Sequence, residues 1–171
     1  MKIGKSLKKV RERKEYSQEN IANIIHVSKQ LVSHLENDRR SMTEDLAKQS
    51  VSVLSDAQYG FEVARETAEG YIAPLIMSGE AIEWHRLALQ HVFVNQVTET
   101  IERFEKFSLV QPPEFVGDKE LEGVRERAKE LLDIQMIVDS FLTCLEQEYN
   151  ISVQECMDSR LQTWKKKGWI N

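Results

Sequence analysis

The chain has 171 residues, of which 41% are hydrophobic and 30% charged, and a net charge of −5. That is enough apolar material for one packed domain or two small ones, and the charge content suits a soluble, helix-rich protein. No apolar run reaches the roughly 18 residues of a membrane-spanning helix. The opening MKIGKSLKKVRERK has no apolar leader core, and Cys144 and Cys156 read as two reduced cytosolic thiols.

Few glycines and prolines (7 and 3) and few β-branched runs point to an all-α protein. A first helix is expected over residues 3–14, with Ile3, Leu7 and Val10 on its inner face. Ser17 is a natural N-cap for a second, running to about Ile25, and Ser28 for a third, to about Asn37. Thr43 caps a fourth whose first turn carries Glu44 and Asp45, where the helix dipole favours acid. With a fifth beginning near Asp56, these make a compact four- or five-helix bundle.

Longer amphipathic helices follow. A segment from Ala57 to Met77 is interrupted by Gly70 and Pro74. After Ser78-Gly79, a helix is expected from Glu80 to Phe107. Its near-heptad stripe is Trp84, Leu87, His91, Val94, Ile101 and Phe104, with Thr98 at the missing position. Pro112, Pro113 and Gly117 mark a loop over 108–118. A helix from Lys119 to Tyr149 carries the stripe Leu121, Val124, Ala128, Leu131, Val138, Leu142, Leu145 and Tyr149, and Ser152 caps a last helix ending near Lys167.

Residues 17–40, SQENIANIIHVSKQLVSHLENDRR, read as two short helices joined by a tight turn. Ala22 is small where the two would cross. Ile21, Ile25, Val27, Val32 and Leu35 can seal the space between them. Together with Leu7, Val10 and Arg11, Ser17-Gln18, Val27-Ser28, Ser33, Glu36 and Arg39-Arg40, they make residues 3–55 resemble the Cro/CI-type (XRE-like) helix-turn-helix of phage repressors and their bacterial relatives. The resemblance covers about a third of the chain. It implies a domain over 1–55 that binds DNA, leaving 56–171 as a helical C-terminal domain for oligomerisation or effector contact. It also implies that the N-terminal half of the third helix enters the major groove. Ser28, Lys29, Gln30, Ser33 and His34 would then face DNA, with Lys29 suited to guanine O6/N7 and Gln30 to adenine. Gln18 would touch phosphate and brace the third helix; Asn37, Arg39 and Arg40 would hold the backbone, with Lys5, Lys8 and Lys9 as weaker candidates. Arg11 and Glu36 match a pair that joins the first helix to the end of the third.

Two positions depart from the family pattern. His26 in the turn and Asp38 after the third helix stand where the family usually has glycine in a left-handed backbone. His and Asp tolerate that conformation better than most residues, at about 1 kcal/mol each, so the fold should survive. Charge supports the assignment. Residues 1–55 hold 11 Lys and Arg against 7 Asp and Glu, and residues 56–171 hold 12 against 21. A basic head can meet phosphate, whereas an acidic remainder is repelled by it.

Other patterns in the sequence compete with this one. Glu99, Glu102 and Glu105, then Glu130 and Asp133, place carboxylates three apart on helical faces that can hold Mg²⁺. With the tail from Ser152 to Trp169 they resemble, distantly, the all-α NTP pyrophosphohydrolases, whose adjacent Glu pair is missing here. The plain reading, solvated faces of long helices, is preferred. The four histidines make no metal set, Trp84, Trp164 and Trp169 read as core or interface anchors, and Lys165-Lys166-Lys167 suits a helix C-terminus. No nucleophile triad, phosphate loop or zinc motif is visible.

The resulting expectation is a non-enzymatic transcriptional regulator without metal or cofactor. It would be a phage or mobile-element type repressor, cytoplasmic and nucleoid-associated, with no membrane partner. It would bind double-stranded operator DNA as a homodimer or higher oligomer through 56–171, with a possible protein effector. The alternatives are a protein-interaction adaptor of the antirepressor or antitoxin kind, and a nucleotide-hydrolysing enzyme or relic with a helix-turn-helix head.

Overall fold

The computed structural model describes residues 1–171, apart from the side chain of Ser78. The chain is all-helical, 69% helix, with no strand among the described residues. Eight α-helices run in order: α1 Gly4–Arg13, α2 Gln18–Ile24, α3 Lys29–Glu36, α4 Glu44–Leu54, α5 Ala57–Thr67, α6 Arg86–Glu105, α7 Asp118–Tyr149 and α8 Val153–Lys166. They divide into two compact units. One comprises Met1–Pro74 with Leu145–Asn171, the other Leu75–Cys144.

In the first unit the expected caps start the helices. The side chains of Ser17, Ser28, Thr43 and Ser152 each accept a backbone N–H at the beginning of α2, α3, α4 and α8, and Asp56, not named as a cap from the sequence, does the same for α5. Each satisfies an amide that helical geometry leaves unpaired. The core gathers Leu7 and Val10 of α1, Ile21 and Ala22 of α2, and Val32 and Leu35 of α3 with Ile25, Met42, Ala47, Leu54, Tyr59 and Val63. The compact unit therefore takes in α5, beyond the 1–55 segment expected to form the head. Gly4 lies against the end of α3 so closely that a Cβ there would sit 1.8 Å from the Leu35 carbonyl oxygen. Tyr59 is buried with its hydroxyl 2.8 Å from Ser50 Oγ, and burial pushes its pKa from 10.0 up to about 12.

The C-terminal part of this unit is tied down by one carboxylate. Glu146, near the end of α7, accepts the Ala57 N–H at the start of α5 through Oε1. Through Oε2 it accepts the Val153 N–H at the start of α8, at 2.9 Å. A negative charge at two helix N-termini is doubly favourable, because both dipoles present their positive ends to it. Arg13 adds a second tie, donating two bonds to Asp56, the N-cap of α5, and one to Gln58.

The second unit contains α6 and most of α7. Phe93 packs on Phe141 with ring centroids 6.2 Å apart, and the Phe107 ring lies against Gly123 with the Arg127 guanidinium 5.7 Å from its centre. Leu89, Ile137 and Cys144 are buried, and so are Thr100, Glu130, Ser140 and Thr143. Ser140 and Thr143 satisfy their hydroxyls on carbonyls one turn back, at Met136 and Asp139. Thr100 Oγ1 is buried without a hydrogen-bond partner. Arg103 donates to Glu130 at 3.0 Å, while Arg127 Nε stands 2.9 Å from the same carboxylate, too poorly aligned to donate a hydrogen bond to it.

One expectation for this unit is corrected. α6 begins at Arg86 rather than Glu80, because His85 is extended (φ −152°, ψ 141°) and its ring Nδ1 takes the Leu87 N–H, which makes His85 the cap. The middle of the heptad stripe, whose partner the sequence leaves open, lies at the surface. Leu87, Val94 and Ile101 are 58%, 51% and 53% exposed, and His91 and Thr98 are exposed with them. No helix, among the described residues, is long and apolar enough to cross a membrane. Cys144 is buried, Cys156 is exposed, and the two are not joined.

Candidate nucleic-acid interface

Helices α1, α2 and α3 end alike. The Tyr16 N–H bonds the Arg11 carbonyl, Val27 bonds Ala22 and Arg39 bonds His34, each reaching back five residues. The residue before each donor is left-handed: Glu15 (φ 55°), His26 (φ 53°) and Asp38 (φ 55°). This six-to-one closure satisfies the last carbonyls of a helix and turns the chain sharply. At His26 it makes the tight turn between α2 and α3. At Asp38 it releases Arg39 and Arg40 to the surface. The two left-handed positions inferred from the missing glycines therefore lie where they were expected.

Beneath the surface lies an ionic joint. Arg11 donates to Glu36 twice, Nε to Oε1 at 2.6 Å and Nη2 to Oε2 at 3.1 Å, and its Nη1 reaches the Tyr16 carbonyl. The Glu36 side chain is 2% exposed. Hydrogen bonding to Glu36 holds the Arg11 pKa above its ordinary value. Gln18 completes the joint by donating Nε2 to Glu36 Oε2 at 2.9 Å. One buried carboxylate thus fixes α1, the start of α2 and the end of α3 at a single point. Breaking such a pair costs about 3–5 kcal/mol, although an apolar replacement of the whole pair need not. Gln18 braces α3 in this way and keeps a second amide N–H for another acceptor.

The outer face of α3 is built on that joint. Val32 and Leu35 are buried, which turns Lys29 and Gln30 outward. Both are exposed. Ser28 is exposed too, its hydroxyl capping α3 through the Leu31 N–H. Ser33 and His34 are half-buried, one helical turn further along. Lys29 lies 3.4 Å from Glu19, a pair at the solvent surface that yields easily. Asn37 donates its amide to the Ser33 carbonyl at 2.7 Å, and so closes the helix as well as facing outward. Arg39 and Arg40 are exposed and make no ion pair among the described residues. On α1, Lys5, Lys8 and Lys9 each stand 3.8–3.9 Å from an acid, Asp38, Glu12 and Glu62 respectively.

Residues 7–53 match the helix-turn-helix family. The head is a helix-turn-helix of the Cro/CI (XRE) type. No curated protein and no solved structure matches the chain. The family match stops before the second unit and the chain end, whose roles rest on geometry alone.

Three supports of the helix-turn-helix were not read from the sequence: Gly4 under α3, the Arg13–Asp56–Gln58 clamp and the double cap by Glu146. A glycine inside a predicted helix was the available signal for the first. The Arg13 clamp and the Glu146–Ala57 half of the double cap join residues 43 to 89 apart and leave no local trace.

The carboxylates considered for a metal are arranged otherwise. Arg103 lies between Glu99, at 3.1 Å, and Glu130, at 3.0 Å. Among the described residues no three His, Cys, Asp or Glu side chains come together as metal ligands.

Proposed function

We propose that the chain is a sequence-specific DNA-binding transcriptional regulator, a repressor of phage or mobile-element type, that reads operator DNA with α3 and acts as a dimer or higher oligomer. The observation that carries this is the division of α3. Its inner face is sealed into the core by Val32 and Leu35, while Lys29, in a surface pair with Glu19, and Gln30 are exposed at its N-terminal half on a rigid base. Lys29 donates to guanine O6/N7 and Gln30 pairs two-pronged with adenine. Ser28, Ser33 and His34 complete the reading face. Gln18, Asn37, Arg39 and Arg40 take phosphate and set the register. One such head covers only a few base pairs, so two heads on half-sites about 10 bp apart multiply affinity and specificity. A cytoplasmic, nucleoid-associated location follows from that role.

The test is selection of binding sites from random duplex DNA by the full chain, followed by affinity measurements across salt concentrations. The expected outcome is a paired-half-site consensus and a steep salt slope. Gln30→Ala and Lys29→Ala should each cost about 1–3 kcal/mol at one base position. Arg39→Ala should weaken all sequences alike and lower the slope by about 1. Absence of any enriched site would sink the reading.

A further inference from the structure

The helix-turn-helix proper, residues 17–37, holds two acids and one lysine. Glu36 is taken by the buried joint with Arg11 and Gln18. Glu19 is exposed, and it meets the lysine: Lys29 Nζ donates to Glu19 Oε2 at 3.4 Å. A bare carboxylate beside a face that meets DNA works against binding, because it repels the phosphates of every sequence alike. Its own helix accounts for part of its presence, since Glu19 lies in the first turn of α2, where the dipole favours acid. It does not account for the partner. Lys29 is the first residue of α3, whose first turn has no acid and whose dipole disfavours a cation there. Glu19, ten residues back and across the turn, supplies the missing charge.

We infer that Glu19 is a positioning residue for Lys29. It holds the ammonium at the N-terminal end of α3 and off the phosphates, so that Lys29 contributes to specificity rather than to general affinity. A lysine ammonium is a point charge on a flexible stem, free to settle on any phosphate within reach. It carries three N–H donors. One on Glu19 leaves two, the number that guanine O6 and N7 accept. Moving Lys29 to a phosphate means giving up Glu19 and leaving that carboxylate bare beside the DNA backbone. Meeting guanine needs no such exchange. With side chains 60% and 67% exposed the pair is a weak one, enough to bias the ammonium without locking it. The inference rests on the reading of α3 as the recognition helix, and adds what decides between base and phosphate at its first residue.

The probes are the duplex selected by the native full chain and a random-sequence duplex of equal length. Affinity for each is measured across salt concentrations with the native chain, Glu19→Gln, Lys29→Ala and the double variant. All the changes fall on exposed side chains and leave the packing alone. In Glu19→Gln the preference for the selected duplex should fall by about twofold to fivefold, chiefly because the random duplex is bound more tightly. The salt slope on the random duplex should steepen by about 1, as the freed Lys29 neutralises one more phosphate. In the Lys29→Ala background, Glu19→Gln should leave the preference as it is, since the side chain it positions is gone. An unchanged preference in Glu19→Gln, or an equal fall with and without Lys29, would overturn the inference; the second result would make Glu19 a surface charge acting on DNA by itself. A native chain that prefers no duplex defeats the DNA reading, whereas a native preference that Glu19→Gln keeps defeats this inference alone.

Discussion

The helix-turn-helix and the α6–α7 unit use their apolar residues in opposite ways. In the head, Leu7, Val10, Ile21, Ile25, Val32 and Leu35 are at most 1% exposed, and the polar side chains of α3 face out. In the α6–α7 unit Thr100, Glu130, Ser140 and Thr143 are buried while Leu87, Val94, Ile101, Leu131 and Leu132 are at least half exposed. The first pattern closes on itself within one chain. The second leaves apolar surface in water, where a monomeric domain seldom carries it in quantity. Similar hydrophobic content can thus finish a fold in one place and present a surface in the other, depending on which face the neighbouring helix happens to take.

Substitutions can break that contrast. The largest effect is expected at Leu35→Ala, which opens a cavity beneath α3 and should cost about 2–5 kcal/mol in urea unfolding. A near-native midpoint would mean that the head is less tightly closed than its burial says. Next comes pH. Tyr59 keeps its proton in the folded state up to about 12, whereas the unfolded chain loses it near 10.0. Its contribution is therefore intact below about pH 10 and falls away between about 10 and 12, by up to roughly 2.7 kcal/mol. Tyr59→Phe should remove that part of the alkaline decline, and an unchanged alkaline limb would refute the assignment. The smallest effect belongs to the other region. Leu131→Gln, at a side chain 54% exposed, should shift unfolding by less than about 0.5 kcal/mol. A loss of several kcal/mol there would place Leu131 in a core and erase the contrast.

The head was legible because its signals are local. Ser17, Ser28 and Thr43 precede the helices they cap by a single residue, and His26 and Asp38 mark left-handed turns by standing where glycine is usual. The Arg11–Glu36 pair, 25 residues apart, came from the family resemblance rather than from spacing. α6 was harder for a physical reason. Where a helix is apolar on two sides, a heptad stripe says that a seam exists but not which partner fills it, so the face turned to α7 stays open in the sequence. The late start of α6 was hidden too, since nothing in residues 80–85 marks His85 as a cap until its ring is seen accepting the Leu87 N–H.

Glu146 also sets an order of events. The core of the head draws only on residues 3–63, so those contacts are available as soon as that stretch of chain exists. The cap on α5 joins residues 89 apart, and at about 5–20 residues per second the ribosome supplies Glu146 roughly 4–18 s after Ala57. During that interval the first five helices can form with Asp56 capping α5 through the Tyr59 N–H and the Ala57 N–H not yet taken by Glu146. The carboxylate then arrives as a late latch that seats α5 and starts α8 in the same step.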